Sequence, residues 1–301
     1  MFGWKRLAWR WWIVDNKSYS SYAAHHTTIT AKHSLFDLKL KELWQYRDLI
    51  GMFVKKDFSL IYKQTILGPA WILLAPFITT VIYTVVFGNI ANLSTDGIPK
   101  ILFYMAGNAL WSFFAECINK TANTFRDNAH MFGKVYFPRL TKPIATVLSA
   151  AVNFGVQMLM FACFWLYFII TGQVLPNWLT ILALPLVLLV MGGMALGCGI
   201  IVSSLTTKYR DLSIVVTFGI SLWMYGTPVV YPLSTASEGL LRTALLLNPV
   251  TPMMELFRYM LLGQGQISVI WLGWSVVFTV IVLMGGILLF NRVEKTFMDT
   301  V

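Results

Sequence analysis

Apolar residues run in six long stretches along the chain, with short polar segments between them. About 20 consecutive apolar residues in a helix cross the roughly 30 Å hydrocarbon layer of a bilayer. The second stretch is the least apolar, because Asn108, Ser112 and Glu116 interrupt it. We expect Glu116 to be either solvated or paired with Lys120. The predicted spans are 69–88, 101–119, 143–170, 178–205, 212–232 and 268–290.

A seventh apolar patch, at 244–262, has a different pattern. Polar residues and prolines break it at intervals too short for a span. This pattern predicts two short interfacial or re-entrant helices rather than another crossing. We place them between spans 5 and 6, on the external side. The interrupting residues are Asn248, Pro249, Pro252, Glu255 and Arg258.

The segment before the first span has helical periodicity. Its apolar residues recur at steps of three and four, and Gly68-Pro69 ends the pattern. A basic amphipathic helix beside a span typically lies in the membrane interface. The helix is either a membrane anchor or a gate helix that meets an anionic lipid head group at the cytoplasmic entrance of the protein. The candidate phosphate contacts are Arg47, Lys55, Lys56 and Lys63.

Composition agrees with a membrane protein. Hydrophobic residues make up 57% and charged residues 12%, against about 25% charged residues in soluble domains. This excludes an ordinary soluble enzyme and a disordered protein. The sequence predicts neither a disulfide framework nor a metal site. Its three cysteines are scattered in apolar stretches, and its four histidines lie in polar segments: Cys117, Cys163, Cys198, His25, His26, His33 and His130.

The distribution of charge predicts the orientation. The net charge is +10, and twenty of the 23 Lys and Arg residues fall on one side of the six-span arrangement. The positive-inside rule places that side, with both termini, in the cytoplasm. The basic residues therefore indicate topology and contact with anionic lipids, not nucleic-acid binding. The predicted parts are a cytoplasmic extension (1–34), an amphipathic helix (35–67), a six-span domain (68–290) and a cytoplasmic tail (291–301).

Sequence motifs for several catalytic classes are absent. The chain has no G-x-x-x-x-G-K-[ST] phosphate loop, no H-E-x-x-H, no C-x-x-C and no G-x-S-x-G. An ion-coupled transporter normally keeps ionisable groups within its spans, and Glu116 is the one clear candidate. We therefore predict a non-enzymatic membrane conduit that is driven by another protein.

Five motifs occur in a fixed order. RDNAHMFGKVYFPRLTKP (126–143) follows span 2, and KYRD (208–211) follows span 4. TPVVY (227–231) ends span 5, NP (248–249) follows, and NRVEKTFMDTV (291–301) is the tail. Over residues 40–301, this order resembles the membrane subunits of ABC-2 type exporters. Among these, it resembles the polysaccharide and lipopolysaccharide O-antigen permeases and the related teichoic-acid and capsule permeases.

The resemblance implies a half-transporter in a bacterial inner membrane. Two copies would form the channel, and two copies of a separate cytoplasmic ATPase would bind ATP and magnesium, so this chain would bind no cofactor. A coupling helix near Thr124–Val135 would dock on the ATPase, and the turn after span 4 would be a smaller contact. The implied contact residues are Arg126, Asp127, Asn128, His130, Met131, Phe132, Tyr209, Arg210 and Asp211.

Aromatic residues make up 15% of the chain, and several lie deep within the predicted spans. Sugar rings present flat C–H faces that pack on aromatic rings, so an aromatic path can hold a glycan without binding it tightly. The resemblance places spans 1 and 5 along the channel between two copies. The predicted lining residues are Tyr83, Phe87, Trp111, Phe114, Trp223 and Tyr225.

The resemblance thus implies a permease that exports a lipid-linked, O-antigen-like polysaccharide. Three alternatives stay open. The cargo could be a teichoic acid, a capsule polymer, or a drug or small lipid. The chain could be a membrane enzyme acting on lipid-linked sugars, which would need clustered carboxylates or histidines. It could also be a membrane scaffold that does not transport.

Overall fold

A computed structural model describes residues 40–63, 70–132, 137–206 and 211–300, except the side chains of 40–42, 61–63, 129–130 and 293–300. The predicted extension at 1–34 lies outside this range. The described residues form helices and turns, with no strand. The helices are α1 (Leu40–Gln45), α2 (Arg47–Lys63), α3 (Ala70–Tyr83), α4 (Lys100–Ala122), α5 (Thr124–Asp127), α6 (Ala129–Phe132), α7 (Thr141–Ile170), α8 (Trp178–Ile181), α9 (Leu184–Thr206), α10 (Leu212–Tyr225), α11 (Leu240–Leu247), α12 (Val250–Leu262) and α13 (Val269–Thr300).

Five of these helices are long and apolar enough to cross a membrane. They are α3 with its π-helical continuation to Ile90, α4, α7, α9, and α13 as far as Arg292. They confirm five of the predicted spans, although the fourth begins at Leu184 because a turn separates it from α8. The remaining predicted span, 212–232, contains the 14-residue α10. At 1.5 Å per residue this helix is about 21 Å long, so a sixth crossing stays a prediction.

The apolar patch near 244–262 forms two short helices, α11 and α12, as its pattern predicts. They are joined at Asn248-Pro249. Helix α12 is buried along most of its length, including its charged residues Glu255 and Arg258. It packs against α4, α9 and α13.

Helix α4 lies at the centre of the described structure. It contacts α3, α7, α9, α10 and α12, and most of its side chains are buried. Glu116, on this helix, pairs with Lys120 one turn later, which confirms one of the two arrangements expected from the sequence. The central position explains why the least apolar predicted span is still stable. Its polar groups face other helices rather than lipid.

Glycines let α9 pack closely between α4 and α13. A Cβ atom on Gly199 would lie 2.6 Å from the Cβ of Thr121 on α4. A Cβ on Gly197 would lie 2.8 Å from the backbone nitrogen of Leu283 on α13. In a bilayer, helices associate largely through such close van der Waals packing, because lipid tails are as apolar as the side chains. The glycines therefore set the spacing of these three helices.

Pro76 interrupts the hydrogen-bond ladder inside α3. Two polar side chains add hydrogen bonds to the backbone beside this break. The carbonyl of Pro76 accepts hydrogen bonds from the Thr80 hydroxyl (2.8 Å) and from the amide of Asn108 on α4 (3.1 Å). Asn108, which interrupts span 2 in the sequence, thus fastens α3 to α4.

Substitution of Gly197 by alanine tests the role of close packing. The new methyl group meets the backbone of α13, which cannot move as a side chain can. We expect a loss of about 1–3 kcal/mol in stability, measured as a lower unfolding temperature of the purified protein in detergent. Gly285→Ala on α13 is the matched control, because a Cβ there meets no atom within 4 Å. Equal effects of the two variants would contradict this account of the packing.

Candidate functional site

The segment directly after α4 consists of two one-turn helices, α5 and α6. Arg126 and Asp127 are exposed, and their side chains pair at 3.2 Å. The amide of Asn128 donates to the carbonyl of Thr124 (2.9 Å), which closes the turn between the two helices. The predicted coupling residues thus present a charged surface at this end of the bundle, which we call the α5 end.

The aromatic side chains of the same region point inward and join in a chain of contacts. From α13 to α2, the ring centroids are separated by 4.7 Å (Phe290–Phe125), 6.0 Å (Phe125–Phe132), 5.6 Å (Phe132–Phe137) and 5.9 Å (Phe137–Phe53). All five rings are buried, and we call them the phenylalanine cluster. The surface of α5 and α6 is therefore connected by packing to α2 and α13.

Phe132, one of the implied contact residues, lies inside the phenylalanine cluster, and only 4% of it is exposed. Its part in contact with an ATPase stays a prediction. Met131 is half-buried and packs against the phenylalanine cluster. The side chain of His130 lies outside the described residues, as do Tyr209 and Arg210. Asp211 is exposed, and its carbonyl accepts the backbone N–H of Ile214 (3.0 Å) at the start of α10.

An ion pair fastens α2 to α7. Asp57 of α2 accepts hydrogen bonds from the Lys142 ammonium (3.0 and 3.1 Å) and from the Ser149 hydroxyl (3.2 Å). The same ammonium lies 5.3 Å from the ring centroid of Phe53, within the range of a cation–π contact. The apolar and basic pattern of the sequence does not predict this arrangement. An acidic residue within a basic amphipathic helix is the signal that could have indicated it.

The predicted head-group contacts lie along α2. Arg47, Lys55 and Lys56 are exposed, and the side chain of Lys63 lies outside the described residues. The neighbouring carboxylate of Glu116 accepts a hydrogen bond from Asn153 (2.7 Å) and pairs with Lys120. Both this carboxylate and that of Asp57 are therefore engaged by other residues, and the exposed charge of α2 is mainly positive.

The six predicted lining residues divide into two groups. Trp111 and Phe114 of α4 are buried and pack against Trp223, with centroids 6.4 and 5.2 Å away. Their interior position places them behind any lining formed by α3 and α10. Tyr83, Phe87 and Trp223 are half-buried, and Tyr225 is exposed. The Tyr83 hydroxyl lies 3.4 Å from the sulfur of Met224, which links α3 to α10.

Two of the sequence motifs meet in space. Asn248, of the NP motif, donates to the carbonyl of Gly226 and to the hydroxyl of Thr227, both at 2.9 Å. Its side-chain oxygen accepts from the indole N–H of Trp223 (3.2 Å) and from the backbone N–H of Val250 (3.1 Å). One asparagine thus joins α10, the TPVVY segment and the start of α12.

A buried arginine holds the TPVVY segment from the other side. Only 1% of Arg258 is exposed, and its guanidinium donates to the carbonyls of Pro228 and Val229, both at 2.6 Å. It lies 3.8 Å from the ring centroid of Phe103 and 3.6 Å from the carboxylate of Glu255. The arginine therefore offsets the charge of Glu255. It also supplies hydrogen-bond donors to two backbone carbonyls that would otherwise be unpaired.

The chain matches a family model. The model for ABC-2 type transporters covers residues 48–262, which is more than two thirds of the sequence. The chain belongs to the ABC-2 type transporter family. The matched region extends from α2 to the end of α12 and therefore includes α5 and α6, the TPVVY segment and Arg258.

Curated relatives of this ABC-2 protein carry one shared name. The chain is 28% identical over 221 residues to the O-antigen export system permease protein RfbA of Myxococcus xanthus, covering 73% of this chain and 82% of the relative. Two proteins of the same name from Klebsiella pneumoniae are each 26% identical. They are covered over 94% and 98% of their length.

In the sequence pattern, Glu255 and Arg258 stand out only as interruptions of an apolar patch. Their spacing of three residues on a helix places them on one face, and ionisable groups in an apolar segment normally pair with one another. That spacing could have indicated the ion pair. The carbonyl partners of Arg258 could not be found in this way, because they are backbone atoms from a segment 29 and 30 residues away.

Substitution of Arg258 by alanine tests this network. The change removes the cation beside the Glu255 carboxylate and the donors to two carbonyls, so we expect a loss of about 3–5 kcal/mol. The measurement is thermal unfolding in detergent, together with the yield of folded protein. Arg242→Ala removes an arginine from a pair with the exposed Glu238 and should cost less than about 1 kcal/mol. Similar losses for both variants would contradict a special role for Arg258.

Proposed function

We propose that this chain is the membrane-spanning subunit of an ATP-driven exporter of a lipid-linked, O-antigen-like polysaccharide. Two copies would form the channel in a bacterial inner membrane, with both termini in the cytoplasm. Membership of the ABC-2 family and the shared name of the curated relatives support this proposal. The sequence contains no phosphate loop, so the proposal assigns ATP binding to two copies of a partner ATPase.

The segment formed by α5 and α6, which we call the docking segment, gives the proposal its main structural support. Its exposed Arg126–Asp127 pair offers charge to a partner, whereas Phe125 and Phe132 fix the segment to the rest of the protein. A surface that is charged outside and packed inside can dock on a moving subunit and transmit that motion as a rigid body. In this proposal the α5 end is cytoplasmic and contacts the ATPase through Arg126, Asp127, Asn128 and Met131, with Asp211 as a second contact.

The phenylalanine cluster provides a route from the ATPase to α2. Phe137 contacts both Phe132, in the docking segment, and Phe53, on the interfacial helix. The Asp57–Lys142 pair holds α2 against α7 beside this contact. Movement of the docking segment would therefore shift α2. Its exposed cations would admit the anionic head group of the cargo lipid by charge-assisted hydrogen bonds.

The exposed faces of α3 and α10 are the proposed channel walls and the contact with a second copy. Phe218, Leu222 and Tyr225 form an exposed stripe on α10, and Ile78 and Ile82 form one on α3. Tyr83, Phe87, Trp223 and Tyr225 would supply rings for stacking against sugars. The exposed hydroxyls of Thr217 and Ser221 hydrogen-bond within the protein, and they leave this surface weakly polar, as a path for a sliding polymer requires.

Co-purification of the ATPase tests the proposal. We expect a nucleotide-binding subunit to accompany the wild-type chain when it is purified from its native membranes. Arg126→Ala/Asp127→Ala should reduce that subunit about tenfold, which corresponds to about 1.4 kcal/mol. Glu238→Ala/Arg242→Ala removes a similar charged pair far along the sequence and is the matched control. If the wild-type eluate contains no ATPase and hydrolyses no ATP, the proposed function is wrong.

A second prediction concerns transmission through the phenylalanine cluster. Phe132→Leu roughly conserves side-chain volume but removes the ring contacts, so it should leave the ATPase bound and lower export more than ATP hydrolysis. The measurements are polysaccharide at the cell surface and ATP turnover of the purified complex. Phe161→Leu changes another buried phenylalanine, on α7, that is not part of the cluster. Equal loss of export in both variants would show that the phenylalanine cluster has no specific part in transmission.

A further inference from the structure

A large apolar groove runs between α2 and α7. Its volume is about 1070 Å³, at the upper limit of the roughly 300–1,000 Å³ typical of small-molecule sites. The lining side chains of both helices are almost all hydrocarbon. They are Leu43, Trp44, Ile50, Val54 and Phe58 from α1 and α2, and Ile144, Leu148, Ala151 and Val152 from α7.

Positive charge lies on one wall of this groove. Arg47 and Lys55, both on α2, contribute to the lining and are eight residues apart, or about 12 Å along the helix. Arg47 lies 3.9 Å from the highly exposed Asp48. Among the described residues, no carboxylate pairs with Lys55. The acid that lies closest in sequence, Asp57, is engaged by Lys142 and Ser149. The groove thus combines a hydrocarbon surface with cations that lack strong partners.

The opening of the groove is also apolar. Trp44 is 72% exposed, and Leu148 and Val152 are each more than 40% exposed. On an interfacial helix beside a span, such a surface meets the boundary between lipid head groups and acyl chains. The molecule that matches both features has a long hydrocarbon chain and an anionic head.

We propose that the α2–α7 groove binds a resident anionic phospholipid, with its acyl chain against α7 and its phosphate near Arg47 and Lys55. The occupant is distinct from the cargo. The groove belongs to α2 and α7, whereas the proposed polysaccharide path follows α3 and α10. This assignment divides the predicted entrance cations, because Lys56 does not line the groove. Lys56 remains available to the passing cargo, and the lipid site itself does not rest on the proposed export function.

A bound lipid in this position would set the position of α2. The helix is also held by the Phe53–Phe137 contact and by the Asp57–Lys142 pair. Since Phe137 also contacts Phe132 of the docking segment, the lipid and the partner ATPase would act on the same helix. Full transport activity would then require an anionic phospholipid at this site, and not only a surrounding bilayer.

Gly51 offers a direct way to fill the groove. It lines the groove, and a Cβ there meets no atom within 4 Å. Gly51→Leu therefore adds a side chain to the groove at a position where its Cβ is unobstructed, and leucine favours a helix more than glycine does. Gly155→Leu on α7 is the matched control, because Gly155 is also exposed and unobstructed and does not line the groove.

The full-length protein is reconstituted with equal amounts of phosphatidylglycerol and phosphatidylcholine, purified again in detergent, and assayed for retained lipid by mass spectrometry. We expect the wild type and Gly155→Leu to retain phosphatidylglycerol preferentially. Gly51→Leu should lose most of it while eluting as a folded protein on gel filtration. Equal retention by Gly51→Leu and the wild type would overturn the proposal. So would the absence of retained lipid in the wild type, which would mean that another segment of the chain covers the groove.

The charged wall is tested by quenching of tryptophan fluorescence with brominated phosphatidylglycerol. The signal of Trp44 is the difference between the wild type and Trp44→Phe. Removal of each cation, in Arg47→Gln and Lys55→Gln, should weaken the preference for the anionic lipid about fivefold. Lys56→Gln should leave the preference unchanged. An equal effect of Lys56→Gln would mean that nonspecific surface charge attracts the lipid. Displacement of the brominated lipid by a polyprenyl diphosphate would assign the groove to the cargo. Either result would overturn the proposal.

Discussion

The close approach of α4, α9 and α13 is the constraint on which the rest of the structure depends. Lipid tails solvate apolar side chains as well as another helix does, so burial from water cannot hold these helices together. Gly197 and Gly199 allow backbone and side-chain atoms to approach at distances that any other residue would prevent. Dispersion contacts summed over this interface then stabilise the bundle. Once α4 is fixed between its neighbours, the positions of the segments at both of its ends follow.

The two ends of α4 are stabilised by different interactions. At the end that includes Phe103, a buried guanidinium donates to the carbonyls of Pro228 and Val229 and lies 3.6 Å from the carboxylate of Glu255. Such a network has one favourable geometry, because each lost partner leaves a buried polar atom unsatisfied. At the α5 end, the phenylalanine cluster packs without directional bonds. Close packing of the rings connects α6 to α2, which suits a region that the proposed function requires to transmit motion.

Each buried or half-buried carboxylate described above has a cation from its own chain. Glu255 has Arg258, Glu116 has Lys120, and Asp57 has Lys142. An isolated charge in an apolar environment would cost several kcal/mol, so this pairing is expected of a stable structure. The cations of the exposed face of α2 differ in this respect. Their weak pairing distinguishes a surface for anionic ligands from the structural ion pairs around it.

Hydropathy and charge along the chain determined the helical class, five of the spans and the two short helices at 240–262. These features follow from the transfer free energy of about 20 residues at a time, which the sequence contains directly. The faces of the helices were decided only by tertiary structure. Phe132, Trp111 and Phe114 are interior, and Tyr225 is exposed, yet all four have the same apolar or aromatic character in the sequence. In a membrane, lipid and protein interior are both apolar, so hydropathy cannot tell which of them a side chain will meet. The contacts of Arg258 and the groove of α2 and α7 likewise arise from packing between distant segments.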